Sequence, residues 1–177
     1  MQEKRHIFLT GDKQVGKSTL WKRVLEELDI SPSGFLTLPY TVKGNFRGFC
    51  LHGLGPLPPG FENDIPISIY LQARKHRPIV DSFEEFGSRL LERAQEDSNY
   101  IMMDELGRFE KNAPNFQKAV MQCLDGDHHV LGVLQDTQNP FIDKVRKRQD
   151  ILLITVDKKN REDLVEKVIA ALKKLKS

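Results

Sequence analysis

Apolar residues along this chain fall into two patterns, short unbroken runs and longer stretches with helical spacing. Short runs rich in β-branched and aromatic residues predict strands, and they cover residues 6–10, 34–42, 46–51, 67–71, 100–103, 130–134 and 151–156. Spacings of three and four residues predict helices over residues 20–28, 83–94, 116–124 and 164–175. Because strands alternate with helices and are apolar on both faces, the pattern predicts an α/β three-layer domain with a mostly parallel sheet. The runs within residues 34–51 add a β-hairpin to that sheet.

Three local signals predict where helices begin, and one stretch predicts an irregular segment. Ser82 and Glu85 have the spacing of a capping box. Asn139 is followed by proline, which is typical of an N-cap with proline at the first helical position. Asn160 is a candidate cap for the last helix. Residues 52–66 contain several prolines and glycines, so we expect a mobile flap there.

Composition and charge narrow the class of protein. The chain has 177 residues, 39% of them hydrophobic and 29% charged, which is typical of a single globular domain spanning residues 1–177. A formal net charge of +2 is too small to predict a nucleic-acid or membrane partner by charge alone. We attribute the basic stretch Lys75-His76-Arg77 to a solvated face, because the sequence does not interleave it with exposed aromatic residues. No apolar run approaches the length of a membrane span and the first residues lack a signal-peptide pattern, so we expect a cytoplasmic protein.

The segment between the first strand and the first helix carries the strongest chemical signal in the chain. It fits the P-loop pattern G-x-x-x-x-G-K-[ST], in which a glycine at each end lets the backbone amides curl around a phosphate. Lys17 would reach the β and γ phosphates, and the Ser18 hydroxyl would bind Mg²⁺. The alternative is a glycine turn that only caps a helix. The predicted nucleotide-binding residues here are Gly11, Asp12, Lys13, Gln14, Val15, Gly16, Lys17, Ser18 and Thr19.

Two adjacent acids at the end of a buried strand extend this candidate site. Asp104 and Glu105 directly follow the apolar run over residues 100–103. Asp104 is the candidate Mg²⁺ ligand, directly or through water. Glu105 would point in a different direction and could deprotonate the water that attacks the γ phosphate. This pair favours hydrolysis over phosphate transfer, and the alternative is that both acids are solvated loop residues.

The charge that develops on a transferred phosphate usually needs a cation besides the P-loop lysine. We expect Arg146 or Arg148 to close over the phosphates as part of a lid, with a solvated basic face as the alternative. Arg108 is a further candidate because it lies just after the acidic pair. Asn160 and Arg161, which follow the last strand, are candidates for contacts with the base, with the helix cap as the alternative for Asn160.

Several of these segments together resemble the small stand-alone P-loop nucleoside triphosphatases called the cancer-related nucleoside-triphosphatase family. The segments are Gly11 to Ser18, Gly34-Phe35-Leu36-Thr37 leading to Gly48-Phe49, Asp104-Glu105-Leu106-Gly107-Arg108-Phe109-Glu110, and Asn160-Arg161. The resemblance implies a P-loop NTPase fold with an added strand near the P-loop. It also implies a Mg²⁺-dependent enzyme that hydrolyses several nucleoside triphosphates to diphosphate and phosphate. The chain departs from the family over residues 38–42, where charged residues usually follow G-F-x-T and this sequence has none.

Two other classes of function stay open from the sequence. A nucleoside or nucleotide kinase would need an acceptor pocket, and residues 52–66 could form one, although Glu62 and Asp64 are their only acidic groups and they include no arginine. A nucleotide-controlled binding module would hydrolyse incidentally and hold a partner in one nucleotide state. The base preference is not predicted, because a P-loop contacts phosphates and not base edges.

Overall fold

The strands and helices alternate along the chain in the predicted order. The computed structural model describes residues 3–175. Its strands are β1 (His6–Thr10), β2 (Ser33–Val42), β3 (Asn45–Leu54), β4 (Ile65–Pro66), β5 (Ser68–Tyr70), β6 (His76–Pro78), β7 (Tyr100–Leu106), β8 (His129–Leu134) and β9 (Ile151–Thr155). Its helices are α1 (Lys17–Glu27), α2 (Ser88–Asp97), α3 (Pro114–Asp125), α4 (Pro140–Arg146) and α5 (Arg161–Leu175), and a π-helical segment, Ser82–Gly87, leads into α2.

One mostly parallel sheet organises the molecule. Its strand order is β4-β3-β2-β7-β8-β1-β9, and only the β2–β3 and β3–β4 pairs are antiparallel. The prediction of a three-layer P-loop fold with an added hairpin is therefore confirmed. Because parallel strands end at the same edge, the loops after β1, β7 and β8 meet at the carboxyl edge of the sheet.

Helices cover both faces of the sheet because the central strands are apolar on both sides. In β1, Phe8 belongs to the core that includes α2, α3 and α4, whereas Ile7 and Leu9 belong to the core that includes α1 and α5. This division follows from the alternation of side chains across a strand. Two packed cores therefore hold the carboxyl ends of the strands, and the loops that follow them, in place. No helix among the described residues is long and apolar enough to cross a membrane.

The β2–β3 hairpin projects beyond the carboxyl edge of the sheet. Strand β2 pairs with β7 only as far as Leu36, which lies opposite Asp104. Residues 37–42 continue past that point and extend roughly 20 Å at about 3.3 Å per residue. The strand predicted over residues 67–71 is observed as the shorter β5, and β4 lies just before it, within the residues expected to form the flap. Between them the Ile67 N–H donates to the Phe49 carbonyl oxygen at 2.8 Å.

The segment over residues 52–66 is more ordered than the predicted flap. Strand β3 continues to Leu54, so its first residues belong to the sheet. The Asn63 side chain accepts a hydrogen bond from the Gly53 N–H at 2.7 Å and donates one to the Gly53 carbonyl oxygen at 3.1 Å. A single amide side chain thus supplies the backbone hydrogen bonds that a loop of prolines and glycines lacks.

One predicted helix start is confirmed and another is wrong. The Asn139 side chain accepts a hydrogen bond from the Ile142 N–H at 2.9 Å, which makes it the N-cap of α4. The capping box at Ser82 does not form, because the residue before it is already helical and no side chain caps this end. The first turns are π-helical, and the Ser88 hydroxyl donates to the Glu84 carbonyl oxygen within them.

Candidate active site

The P-loop connects the end of β1 to the start of α1 in the conformation that a phosphate site requires. Gly11 has a φ of 132°, and a Cβ there would lie 2.2 Å from the Val156 carbonyl oxygen, so only glycine fits. Gly16 is the N-cap of α1 with a φ of 101°, and no side chain caps this end of the helix. The first amides of α1 are therefore left free to bind an anion.

The remaining P-loop residues divide into one buried and several accessible side chains. Val15 is buried in the core beside α1 and α5, so only its backbone faces the loop. Asp12, Lys13, Gln14 and Thr19 are exposed around the loop. The Lys17 ammonium folds back over the P-loop and donates to the carbonyl oxygens of Gly11, at 2.8 Å, and Asp12.

A β-bulge turns two adjacent carboxylates toward the P-loop. In the β7–β8 ladder, Asp104 lies opposite Val133 and Leu106 lies opposite Leu134, so Glu105 is the extra residue. A bulge re-aims one side chain relative to the alternation of a regular strand. The Asp104 carboxylate accepts a hydrogen bond from Ser18 and lies near Lys17. The structure thus brings Asp104 and Glu105 together with Lys17 and Ser18, as the sequence predicted.

Burial raises the pKa of both carboxyl groups. The pKa of Asp104 is raised to about 6, because desolvation outweighs the hydrogen bond from Ser18, and the neighbouring Glu105 adds to the rise. Burial likewise raises the pKa of Glu105, partly offset by its hydrogen bond with Gln135 and by the positive charges of Lys17, Lys13 and Arg108. Buried carboxylates with nearby cations are typical of functional sites.

Gln135 orients Glu105, and the sequence analysis missed it. Its Nε2 donates to Glu105 Oε1 at 2.7 Å, while its own Oε1 accepts from the Arg108 N–H at 3.0 Å. On the other side, Thr37 Oγ1 accepts from the Glu105 N–H at 3.3 Å. Gln135 directly follows an apolar strand, just as Asp104 does, and this place at a strand end is the signal that could have identified it.

Glu110 was likewise given no role in the sequence analysis, and it fixes the loop that follows β7. Its carboxylate accepts a hydrogen bond from the Gly107 N–H, and its backbone carbonyl oxygen accepts one from Gln117 Nε2 at 2.9 Å. Full burial raises the pKa of Glu110 to about 8. The loop carrying Arg108 is therefore anchored to the start of α3, and Arg108 itself is exposed with its guanidinium 5.0 Å from the centre of the Phe109 ring.

The two arginines expected in a lid lie at opposite edges of the sheet. Arg146 is at the carboxyl edge, where it donates to the carbonyl oxygens of Gln135 and Thr137 at 3.3 and 3.4 Å. Arg148 instead pairs with Asp125 and Asp150, both at 2.6 Å. Asp125 ends the helix before β8 and Asp150 immediately precedes β9, so both mark the amino edge of the sheet. The expectation that Arg148 closes over the phosphates is therefore wrong.

The two residues expected to contact the base have different roles in the structure. Arg161 lies beside the P-loop, with its Cδ 3.5 Å from the position that a Cβ of Gly16 would occupy. It helps to line an open cleft of about 190 Å³ together with Gly16, Thr19, Leu20, Arg23 and Glu162. The Asn160 side chain accepts from the Asp157 N–H at 2.9 Å and donates to the Thr155 carbonyl oxygen at 3.0 Å. Asn160 thus shapes the loop after β9, and these bonds replace the helix cap considered for it.

A mostly parallel sheet with a P-loop after its first strand and a carboxylate at the end of a nearby strand defines a P-loop nucleotide-binding protein. The chain matches the NTPase family (NTPase_1) over residues 6–169, and it belongs to that family. It is 31% identical over 168 residues to the nucleoside-triphosphatase THEP1 of Thermotoga sp. (strain RQ2), covering 94% of this chain and 95% of that protein. It is 27% identical over 183 residues to the mouse cancer-related nucleoside-triphosphatase homolog, covering 95% and 96% of the two chains.

Solved structures show the same fold. The crystal structure of THEP1 from Aquifex aeolicus matches with a TM-score of 0.73 and 25% identity, over 94% of this chain and 98% of that one. The solution structure of a human cancer-related nucleoside triphosphatase matches with a TM-score of 0.70 and 27% identity, over 95% and 97%. The resemblance found in the sequence is therefore confirmed, and the protein is a nucleoside-triphosphatase.

Proposed function

We propose that this protein hydrolyses nucleoside triphosphates to diphosphate and phosphate with Mg²⁺, using the side chains grouped around the P-loop. Lys17 holds the β and γ phosphates, and the free amides at the start of α1 bind the phosphate oxygens. Glu105 takes a proton from water as the water oxygen attacks the γ phosphorus. The bond from that phosphorus to the β–γ bridging oxygen breaks, and the diphosphate leaves with the electron pair.

The donor groups beside the P-loop fit Mg²⁺. Ser18 and Asp104 offer a hydroxyl and a carboxylate oxygen within hydrogen-bond reach of each other, and Mg²⁺ prefers oxygen ligands. Among residues 3–175, no three or more His, Cys, Asp or Glu side chains come together in a group that could hold a metal ion. In phosphate sites Mg²⁺ keeps several waters and uses one or two protein ligands, which is the number that Ser18 and Asp104 would supply. When bound, the ion neutralises charge on the β and γ phosphate oxygens.

The observation that carries the proposal is the setting of Glu105. Its carboxylate is held by Gln135 at 2.7 Å, and the cleft beside it is lined in part by Thr37, Gly107 and Phe109. That cleft has a volume of about 10 Å³, room for roughly one water molecule. A carboxylate held in this way can accept a proton from a water molecule, which supports hydrolysis.

The cations and the base contacts form the outer part of the proposed site. Arg146 is the candidate for the additional cation, because it lies at the carboxyl edge beside Gln135. Arg161 lines the cleft next to the start of α1 and is the candidate for contact with the base. An arginine recognises a base by stacking or by its planar donors, so this contact permits more than one base.

The test is phosphate release from ATP, GTP, CTP and UTP with Mg²⁺ and no second substrate. We expect release from several of them, and we expect Glu105→Gln to lower kcat about 10²- to 10⁴-fold while nucleotide binding persists, since general-base catalysis contributes that much. Glu92→Gln, an exposed position on α2, is the matched control and should keep the parent rate. Lys17→Ala should abolish triphosphate binding or turnover. Full turnover by Glu105→Gln, or phosphate transfer to an added nucleoside that exceeds hydrolysis, would contradict the proposal.

A further inference from the structure

Exposed apolar side chains are concentrated at one place on this protein. Within residues 3–175, the large hydrophobic side chains that are more than a third exposed all belong to two neighbouring hairpins. They are Val42, Phe46, Ile69, Tyr70 and Leu71, with exposed fractions of 37–43%. Single exposed apolar residues are ordinary on a protein surface, but a cluster that gathers all of them marks a binding surface.

The two hairpins end side by side. Strand β3 begins just after the turn at Lys43 and Gly44, and β4 and β5 follow β3 in the antiparallel direction. The Phe46 and Tyr70 rings are therefore neighbours, with their centres 5.3 Å apart. The β5–β6 turn follows Tyr70 directly, so the turns at residues 43–44 and 72–74 protrude at the same end. We call residues 42–47 and 69–77 the tip.

The tip is strongly basic. Its cations are Lys43, Arg47, Arg74, Lys75 and Arg77, and all five are exposed. The two segments that form the hairpins, residues 33–54 and 65–80, contain these five cations and no Asp or Glu. The whole chain has 27 Lys and Arg against 25 Asp and Glu, so outside these segments the carboxylates outnumber the cations. None of the five cations forms an ion pair within the described part of the chain, although six other arginines do. The charge is therefore available to an outside partner.

We propose that the tip docks the protein on the surface of an anionic lipid bilayer, with the apolar side chains entering the headgroup region and the cations contacting the lipid phosphates. Apolar side chains beside Lys and Arg are the combination that binds this interface. Such contact needs no membrane-spanning helix, and the net charge of the whole chain does not predict it because these five exposed cations are concentrated in the tip.

The composition of the tip favours a bilayer over other polyanions. Val42, Ile69 and Leu71 are aliphatic, and aliphatic side chains cannot stack on nucleobases as aromatic rings do. A second copy of the chain that used the same surface would bring five cations against five cations, which opposes a symmetric dimer. A hydrocarbon and phosphate interface satisfies both the aliphatic and the cationic groups.

Docking through the tip would bring the nucleotide site close to the membrane. His76 lies at the base of the tip, with its ring 5.3 Å from Tyr70 and 5.7 Å from Phe109. Phe109 belongs to the loop that follows β7, the strand that carries Glu105 near its end. The side chains of the tip do not contribute to the P-loop, so variants there should leave hydrolysis in solution unchanged.

The experiment is co-sedimentation of the full chain with vesicles of phosphatidylcholine, with and without phosphatidylserine. We expect binding only to the vesicles that contain phosphatidylserine, weakened by added salt. Lys43→Glu with Arg74→Glu should weaken this binding about 25-fold or more, since each surface cation contributes roughly fivefold. Lys167→Glu with Lys173→Glu on α5 makes the same change of charge away from the tip and should bind as the parent does.

The double variant Phe46→Ser with Leu71→Ser tests the contribution of the apolar side chains of the tip. If this variant does not fold, the double variant Lys43→Glu with Arg74→Glu still tests the proposal. Phosphate release without vesicles shows that each variant is folded, and it is independent of docking. The proposal is overturned if the parent does not bind phosphatidylserine vesicles, or if neither tip variant weakens binding. Tip-dependent binding of a single-stranded oligonucleotide without binding to vesicles would assign the surface to nucleic acid instead.

Discussion

Replacing Gln135 with methionine tests whether this side chain orients Glu105, the proposed general base. Methionine keeps the length of the side chain but removes the amide that donates to Glu105 at 2.7 Å. A hydrogen bond to a charged group contributes about 1.5–3 kcal/mol. If that contribution is lost from the transition state, kcat falls roughly 10- to 150-fold. Because Gln135 lies beside Glu105 and outside the P-loop, we expect nucleotide affinity to be unchanged.

The assay is steady-state phosphate release together with a separate measurement of nucleotide Kd. Gln138→Met is the matched control, because Gln138 is exposed in the same loop. Equal melting temperatures for the two variants would exclude unfolding as the cause of a lower kcat. The reasoning is refuted if Gln135→Met keeps the parent kcat, or if it loses nucleotide affinity while kcat is unchanged.

Two further predictions concern stability. Burial lowers the pKa of His6 to about 4 from 6.5, while Asp150 at 3.6 Å offsets only part of the shift. The unfolded chain therefore binds a proton at His6 that the folded chain does not, so the contribution of His6 to stability should be complete above pH 6.5 and fall by about 3 kcal/mol toward pH 4. In urea titrations at several pH values, the free energy of unfolding of the parent relative to that of His6→Gln should decrease by about 3 kcal/mol between pH 7 and pH 4, and a difference that does not change with pH would count against this account. Gly34→Ala should destabilise by about 3 kcal/mol or more, since its φ is 120° and a Cβ would lie 2.2 Å from the Met102 carbonyl oxygen. Gly44 has a φ of 77° and open space around it, so Gly44→Ala should lower the free energy of unfolding by only about 1–2 kcal/mol. Equal melting temperatures for Gly34→Ala and Gly44→Ala would contradict this prediction.

The positions of Arg146 and Arg148 could not be predicted from the sequence. Arg146 and Arg148 are two residues apart at the end of one short helix, and the sequence offers no means to separate them. In the structure Arg146 donates to carbonyl groups at the carboxyl edge, whereas Arg148 pairs with Asp125 and Asp150 at the amino edge. Helix α4 runs back from the carboxyl edge toward the start of β9, so two arginines that are two residues apart near its end reach opposite edges of the sheet.

The P-loop, the acidic pair and the alternation of strands and helices can all be predicted from the sequence alone. Each of these features depends on residues that are close together in the chain, so composition and spacing are enough to predict it. Local sequence patterns do not predict that Gln135 holds Glu105, that Arg161 borders Gly16, or that two hairpins form one basic, apolar tip. These contacts join residues far apart in the chain. They depend on the strand order β4-β3-β2-β7-β8-β1-β9 and on the register of each pair, which a local pattern does not specify.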